Sequence, residues 1–226
     1  MSGRVNAFYS KYTQIAVDNY YIAKNFLKEI EKKQDLEFCL SNYDNVENAT
    51  IVTCVFSVMA LESYFNDFAA KHLGDDEFYD NFDRLSLLSK FQLIAKFILK
   101  VDVDKSRSYY SNLKTTDSIR NEFVHNKSKD FFEWVKKDKS EPDYKNEEEA
   151  NQENAIIRVY IKSLKEALRN AKHAIEAIRD IAKFFDEADN TCWATHHLFM
   201  EYFSFGEFND NIHTQELKRE FKLGIK

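Results

Sequence analysis

The segment from residue 157 to 185 repeats apolar residues at alternating steps of four and three. A residue repeated every 3.5 positions stays on one side of an α-helix, and such a seam must be covered by another helix. We therefore predict a long helix here, packed either within the chain or across a dimer. The seam consists of Ile157, Ile161, Leu164, Leu168, Ala171, Ile175, Ile178, Ala182 and Phe185.

The composition favours helices over sheets. The 226 residues include only 4 glycines and 1 proline, too few for the tight turns of a sandwich or barrel. Hydrophobic residues make up 44% of the chain, enough for a sizeable core. We expect an all-α fold, with residues 1–226 forming a single helical domain.

Four helices are predicted before the long seam. The first covers about 5–33, where apolar residues recur at three, four or seven positions. The polar run 41–45 breaks this pattern and offers capping side chains to a second helix that ends at about Leu73, just before a glycine. Shorter helices are predicted over 84–100 and 105–125.

Two segments stand apart in composition. Residues 126–153 hold the only proline and a cluster of charges, and we predict a charged loop or insertion there. Residues 190–226 are rich in aromatic side chains, and we predict an extension with a further helix docked on the body.

Charge and cysteine content limit the classes of function. The formal net charge of -6 provides no overall attraction to nucleic acid, so RNA contacts would need local basic patches. The 3 cysteines are too scattered for a disulfide framework and indicate a reducing compartment. No signal peptide or long uncharged apolar run is present, so we expect a soluble cytoplasmic protein without a membrane role.

Other candidate sites are weaker. Cys192 and His196 are one helical turn apart, but zinc needs three or four ligands and no second pair has metal spacing. We predict no metal site and no cofactor. Basic residues also form two stripes on the 157–185 helix, but the interleaved Glu166, Glu176 and Asp180 favour a solvated face over a phosphate track.

The most informative short segment is SIRNEFVHNK, residues 118–127. On a helix, Arg120, Val124, Asn121 and His125 share an arc of about 140°. A valine within this polar arc indicates that the arc meets another surface. We expect the three polar side chains to act at one point.

A carboxylate interrupts the apolar stripe of the second helix. Glu62 occupies its centre, where burial without a partner would cost several kcal/mol. We predict that Glu62 lies within hydrogen-bond or one-water reach of Arg120, Asn121 or His125. The alternative is that the helix ends splay and Glu62 reaches solvent.

Arginine, asparagine and histidine together suit cleavage of an RNA phosphodiester. Arginine binds phosphate oxygens and stabilises charge that grows in the transition state. Histidine titrates near neutral pH and can take the proton of the ribose 2′-hydroxyl or protonate the leaving 5′-oxygen. This route needs no metal. The same residues could instead form a structural hydrogen-bond cluster.

Arg120-Asn121 followed by His125 resembles the Arg-x4-6-His motif of the HEPN superfamily, all-α domains found in many prokaryotic ribonuclease toxins and antiviral effectors. The segment 60–66, ALESYFN, and Lys90-Phe91 also resemble the family. The resemblance covers roughly residues 5–185 and implies a HEPN-like helical bundle.

The resemblance implies a metal-independent endoribonuclease of a toxin-antitoxin or phage-defence system. Its catalytic residues would be Arg120, His125 and Asn121. Such domains usually form a homodimer whose facing motif helices make one composite cleft for the RNA substrate. An antitoxin or another defence-system protein would be a further partner. Some members of the family are instead noncatalytic modules that bind RNA, a nucleotide or a protein.

Residues outside the motif complete the predicted site. Glu62 and Asn66, both in the ALESYFN segment, are the predicted supporting residues. Lys127 and Lys129 follow the motif and are the predicted RNA contacts, since a net-acidic protein needs local positive charge to hold phosphate.

Overall fold

A computed structural model describes residues 8–74, 78–124, 149–202 and 214–223. Within these ranges the chain is almost entirely helical and contains no β-strand, which confirms the predicted all-α class.

The two N-terminal helices form an antiparallel pair. Helix α1 spans Tyr9–Lys33 and α2 spans Leu36–Leu73. Gln34 turns the chain between them with a left-handed backbone (φ 50°), and the Asp35 side chain caps α2 by accepting the Phe38 backbone N–H. The connection therefore needs only two residues.

The predicted break at the polar run 41–45 was wrong, because α2 continues through it. The side chains of Ser41 and Asn42 both donate to the Phe38 carbonyl in the preceding turn. These polar groups are thus satisfied within the helix instead of capping its start. The predicted end was right, since α2 stops at Leu73 and Gly74 has a positive φ of 87°.

Short helices follow α2. Helix α3 spans Leu87–Leu93 and is capped by the Ser86 side chain, which accepts the Ser89 backbone N–H. The chain continues as a π-helical turn over Ile94–Ile98, and another π-helical turn covers Phe78–Phe82. The single helix predicted over 84–100 is therefore an α-helix that widens into a π turn.

Helices α4 and α5 complete the body. Helix α4 spans Ser108–Val124, close to the predicted 105–125, and α5 spans Glu149–Ala188. Because α5 begins at Glu149, the loop predicted over 126–153 is too long at its C-terminal end. Residues 125–148 lie outside the described part of the chain.

The seam of α5 is buried as predicted, and it packs within the chain. All its positions are buried except Leu168, which is partly buried. One half joins a core with α1 and α2 through Ile157, Ile161 and Leu164. The other half joins the main core, where Phe185 contacts the rings of Tyr64, Phe65 and Phe68 at centroid distances of 5.2, 5.8 and 5.1 Å.

The described parts of the C-terminal extension dock on the body. Helix α6 spans Ala194–Leu198, a 3-10 turn covers Met200–Tyr202, and α7 spans Thr214–Glu220. Asp186 at the end of α5 accepts the backbone N–H groups of Ala194 and Thr195 and so holds the start of α6.

Glu220 ties α7 to α1. Its carboxylate accepts hydrogen bonds from Tyr20 at 2.6 Å and from Lys24 at 2.5 Å. Burial alone would raise the pKa of Glu220, but the Lys24 and Tyr20 hydrogen bonds outweigh it and lower the pKa below its ordinary value. The ionised carboxylate is therefore favoured in the folded protein.

Replacing Glu220 with Gln should destabilise the fold by about 1 to 2 kcal/mol at pH 7, since charge-assisted hydrogen bonds to Lys24 and Tyr20 are lost. A lowered pKa stabilises the fold above the ordinary pKa of 4.5. The difference between parent and variant should shrink as pH falls below that value and disappear below the folded-state pKa. Urea unfolding at several pH values measures this. Glu216→Gln, an exposed change on the same helix, is the matched control. An equal loss in both variants would contradict the assignment.

Helix α2 is long and apolar enough to cross a membrane by length and composition. More than half of its apolar window, 56%, is buried inside the protein. Buried core helices pass the same test, so α2 is compatible with a soluble protein.

Candidate functional site

Helix α4 carries the motif residues Arg120 and Asn121 in its last two turns. Its first turn is held by Asp180 of α5, whose carboxylate accepts hydrogen bonds from Ser108 and Asn112, both at 3.4 Å. Leu113 lies fully buried in the main core. The motif residues therefore extend from a helix that is fixed at its start.

Arg120 and Asn121 contact each other. Arg120 Nη1 donates to Asn121 Oδ1 at 2.9 Å, and both residues are partly buried. Arg120 Nε is buried without a hydrogen-bond partner. Among the described residues, no carboxylate lies within 4.0 Å of the guanidinium. Arg120 is thus oriented by an amide and keeps donors for an anion.

The described part of the chain ends at the motif. His125, Lys127 and Lys129 lie outside it, as does the Val124 side chain. The predicted convergence of His125 with Arg120 and Asn121 therefore stays a prediction.

Glu62 pairs with Lys90 of α3. Lys90 Nζ lies 3.0 Å from Glu62 Oε1, and the Lys90 side chain is 1% exposed whereas that of Glu62 is 37% exposed. The partner is therefore Lys90 and not Arg120 or Asn121, the two motif candidates that the structure describes. The Glu62 side chain is partly exposed. It is therefore neither fully buried nor fully in solvent, the two alternatives that the sequence left open.

Asp117 connects Glu62 to the motif electrostatically. Burial is the main cause that raises the pKa of the Asp117 carboxyl, Arg120 opposes this, and the negative charge of Glu62 adds to it. Asp117 precedes Arg120 by three residues and Asn121 by four, so it lies on the same side of α4. The sequence prediction missed it, although this spacing was visible.

The position of Lys90 in the sequence also indicated that it needs an anionic partner. Leu87, Phe91 and Ile94 are buried at the helical spacing of a core-facing stripe, and Lys90 lies among them. A lysine on such a stripe requires an anionic partner, just as Glu62 requires a cation on α2.

Asn66 lies one turn after Glu62 on α2. Its Oδ1 atom is buried without a hydrogen-bond partner. A buried amide oxygen of this kind has the capacity to accept a hydrogen bond from water or a ligand.

Several basic residues on the stripes of α5 are paired with carboxylates. Lys165 lies 2.7 Å from Glu31, and Lys172 lies 4.0 Å from Glu220. Arg179 bonds its neighbour Asp180 at 2.5 Å. These contacts fit the solvated face favoured by the sequence.

The described ranges contain no group of three or more His, Cys, Asp and Glu side chains placed to hold a metal ion. His197, near the Cys192 and His196 pair, packs edge-on against Tyr9 at a centroid distance of 6.3 Å. Burial lowers the pKa of His197 and favours its neutral form.

Comparison with known proteins adds no family. No protein-family model matches the chain, and neither a curated protein nor a solved structure matches it significantly.

Proposed function

We propose that the protein is a metal-independent endoribonuclease of a prokaryotic toxin-antitoxin or phage-defence system, with a HEPN-like bundle. The observation that carries the proposal is the state of Arg120. Its guanidinium is oriented by Asn121 at 2.9 Å, is partly buried, and has a buried Nε without a partner. An arginine held in this way is suited to bind a phosphate and the charge that develops on it.

Each motif residue has its own role in the proposed reaction. The ribose 2′-oxygen attacks phosphorus, the bond to the 5′-oxygen breaks, and the products are a 2′,3′-cyclic phosphate and a 5′-hydroxyl. His125 takes the 2′-proton or supplies the proton of the leaving oxygen. Arg120 stabilises the phosphoryl oxygens and Asn121 orients Arg120.

Cleavage of single-stranded RNA in EDTA tests the proposal. We expect products with 2′,3′-cyclic phosphate ends and no cleavage of DNA, because DNA lacks the attacking hydroxyl. RNA that stays intact over a range of conditions would overturn the nuclease and favour a noncatalytic module that binds RNA, a nucleotide or a protein partner.

We also propose a homodimer in which the two motif helices face each other across the twofold axis. Val124 shares the helical arc of Arg120, so this arc suits a partner surface. Two copies of Arg120 would supply local positive charge that the net charge of -6 does not provide. An antitoxin or other defence protein would bind this dimer.

We expect light scattering to show a dimer at tens of micromolar, and Val124→Asp to shift it toward monomer because a charge cannot be buried unpaired in the interface. Val159→Asp, on an exposed apolar position of α5, is the matched control. A parent protein that is monomeric at this concentration, or a Val124→Asp protein that stays dimeric, would remove the composite cleft.

A further inference from the structure

Positive charge is concentrated around α4, although the chain as a whole is acidic. Residues 94–121 contain six lysines and arginines against three aspartates and no glutamate, whereas the net charge of the whole chain is -6. RNA is attracted by such a local excess of positive charge, because its phosphates respond to the nearest charges and not to the net charge. The excess includes Arg120 and extends well before it in the chain.

Besides Arg120, the only lysine or arginine of α4 is Lys114. Its side chain is exposed, and among the described residues no carboxylate oxygen lies within 4.0 Å of its ammonium. Lys114 precedes Asn121 by seven residues, so the two lie on the same side of α4, about 10 Å apart along its axis. The ammonium of Lys114 is therefore available to an anion on the side of the helix that carries the motif.

A second ammonium lies near the start of α4. Lys105 Nζ is 5.9 Å from the centre of the Tyr110 ring, and the Tyr110 hydroxyl accepts a hydrogen bond from Gln92 at 3.0 Å. Tyr110 precedes Lys114 by four residues and therefore lies on the same side of α4. In the described ranges Lys105 also has no carboxylate oxygen within 4.0 Å. The two lysines thus continue the positive charge from the motif toward the start of the helix.

The aspartates near these cations leave the two lysines unpaired. Asp104 pairs with Arg107 at 3.4 Å. Asp117 is partly buried and lies on α4 midway between Lys114 and Arg120, three residues from each. A phosphate midway between these two cations would be repelled by the Asp117 carboxylate. Lys114 and Arg120 are therefore suited to two different phosphates of one strand.

We propose that single-stranded RNA lies along α4, with the scissile phosphate at Arg120, another phosphate of the same strand at Lys114, and the strand continuing to Lys105. The inference rests on the proposed function, which assigns the scissile phosphate to Arg120. Lys114 and Lys105 are binding residues and take no part in the bond-breaking step. The substrate is accordingly a single-stranded segment of several nucleotides and not a single dinucleotide step.

The salt dependence of binding tests the proposal. The probe is a single-stranded 2′-O-methyl RNA of about eight nucleotides, which cannot be cleaved and is long enough to cover α4. Lys114→Gln and Lys105→Gln should each lower the slope of log Kd against log salt by about 0.7, the value for one phosphate contact on a single strand. Each should also weaken binding at low salt by roughly five- to tenfold. Fluorescence anisotropy measures the affinities, and circular dichroism checks that each variant is folded.

Two control variants separate phosphate binding from other effects. Lys114→Arg keeps the charge and should bind with the slope of the parent. Lys28→Gln removes the same charge from an exposed position of α1 and should change neither the slope nor the affinity. The proposal is overturned if Lys114→Gln or Lys105→Gln binds as the parent does, or if Lys28→Gln weakens binding equally.

Cleavage kinetics distinguish this proposal from the proposed nuclease. On a long single-stranded RNA, Lys114→Gln should raise KM and leave kcat unchanged, because it removes binding that is equal in the ground state and the transition state. If RNA is cleaved but Lys114→Gln alters neither KM nor the salt slope, the binding path along α4 fails and the nuclease stands. If the slopes change as expected but no RNA is cleaved, the nuclease fails and the binding path stands. A parent protein that neither binds nor cleaves RNA overturns both.

Discussion

Replacing His125 with Ala should abolish most RNA cleavage, with a loss of about 10²- to 10⁴-fold, because the acid or base of the reaction is removed. Arg120→Ala should lose a similar or larger factor, because it removes the group proposed to stabilise the phosphoryl oxygens. Asn121→Ala should lose less, since Asn121 contacts Arg120 and acts by orienting it. Initial rates on a defined single-stranded RNA measure all three.

A loss of cleavage is informative only when the variant protein remains folded. Each variant must keep the helical circular dichroism and the oligomeric state of the parent while it loses cleavage. Thr115→Ala, an exposed change on α4 outside the motif arc, is the matched control and should cleave as the parent does. If His125→Ala cleaves as fast as the parent, the activity belongs to a contaminant or another site, and the noncatalytic module becomes the better hypothesis.

Phe185→Ala should destabilise the protein by about 3 to 5 kcal/mol, the largest stability effect we expect from a single substitution. Phe185 is fully buried and contacts rings from α2 and α3. Truncation would leave a cavity that these helices cannot fill by small movements. Unfolding in urea, followed by circular dichroism, gives the free energy of unfolding.

Two further variants keep this test interpretable. Phe97→Ala removes a ring that is 64% exposed and should change stability by no more than about 0.5 kcal/mol. Phe185→Leu retains most of the buried volume and should fold, with a smaller loss, even if Phe185→Ala does not. Equal stability of Phe185→Ala and Phe97→Ala would contradict the central position of Phe185 in the core.

The boundaries of α2 show where local patterns succeed and fail. The C-terminal end at Leu73 was predictable because Gly74 adopts a positive φ that other residues rarely take. The start was not, because the polar run 41–45 can either cap a helix or donate to its preceding carbonyls. Asp35 provides the N-cap of α2, and Ser41 and Asn42 instead donate to the Phe38 carbonyl in the preceding turn.

The sequence by itself determined the helical class and the buried face of α5, because both follow from residue periodicity and from the lack of turn-forming residues. It also placed Arg120 and Asn121 on one helix, where they contact. Only the tertiary structure decided the partner of Glu62. That choice depends on how α3 packs against α2, which brings together two charges separated by 28 residues. No local spacing encodes which cation Glu62 contacts, although the positions of Lys90 and Asp117 on their own helices were visible in the sequence.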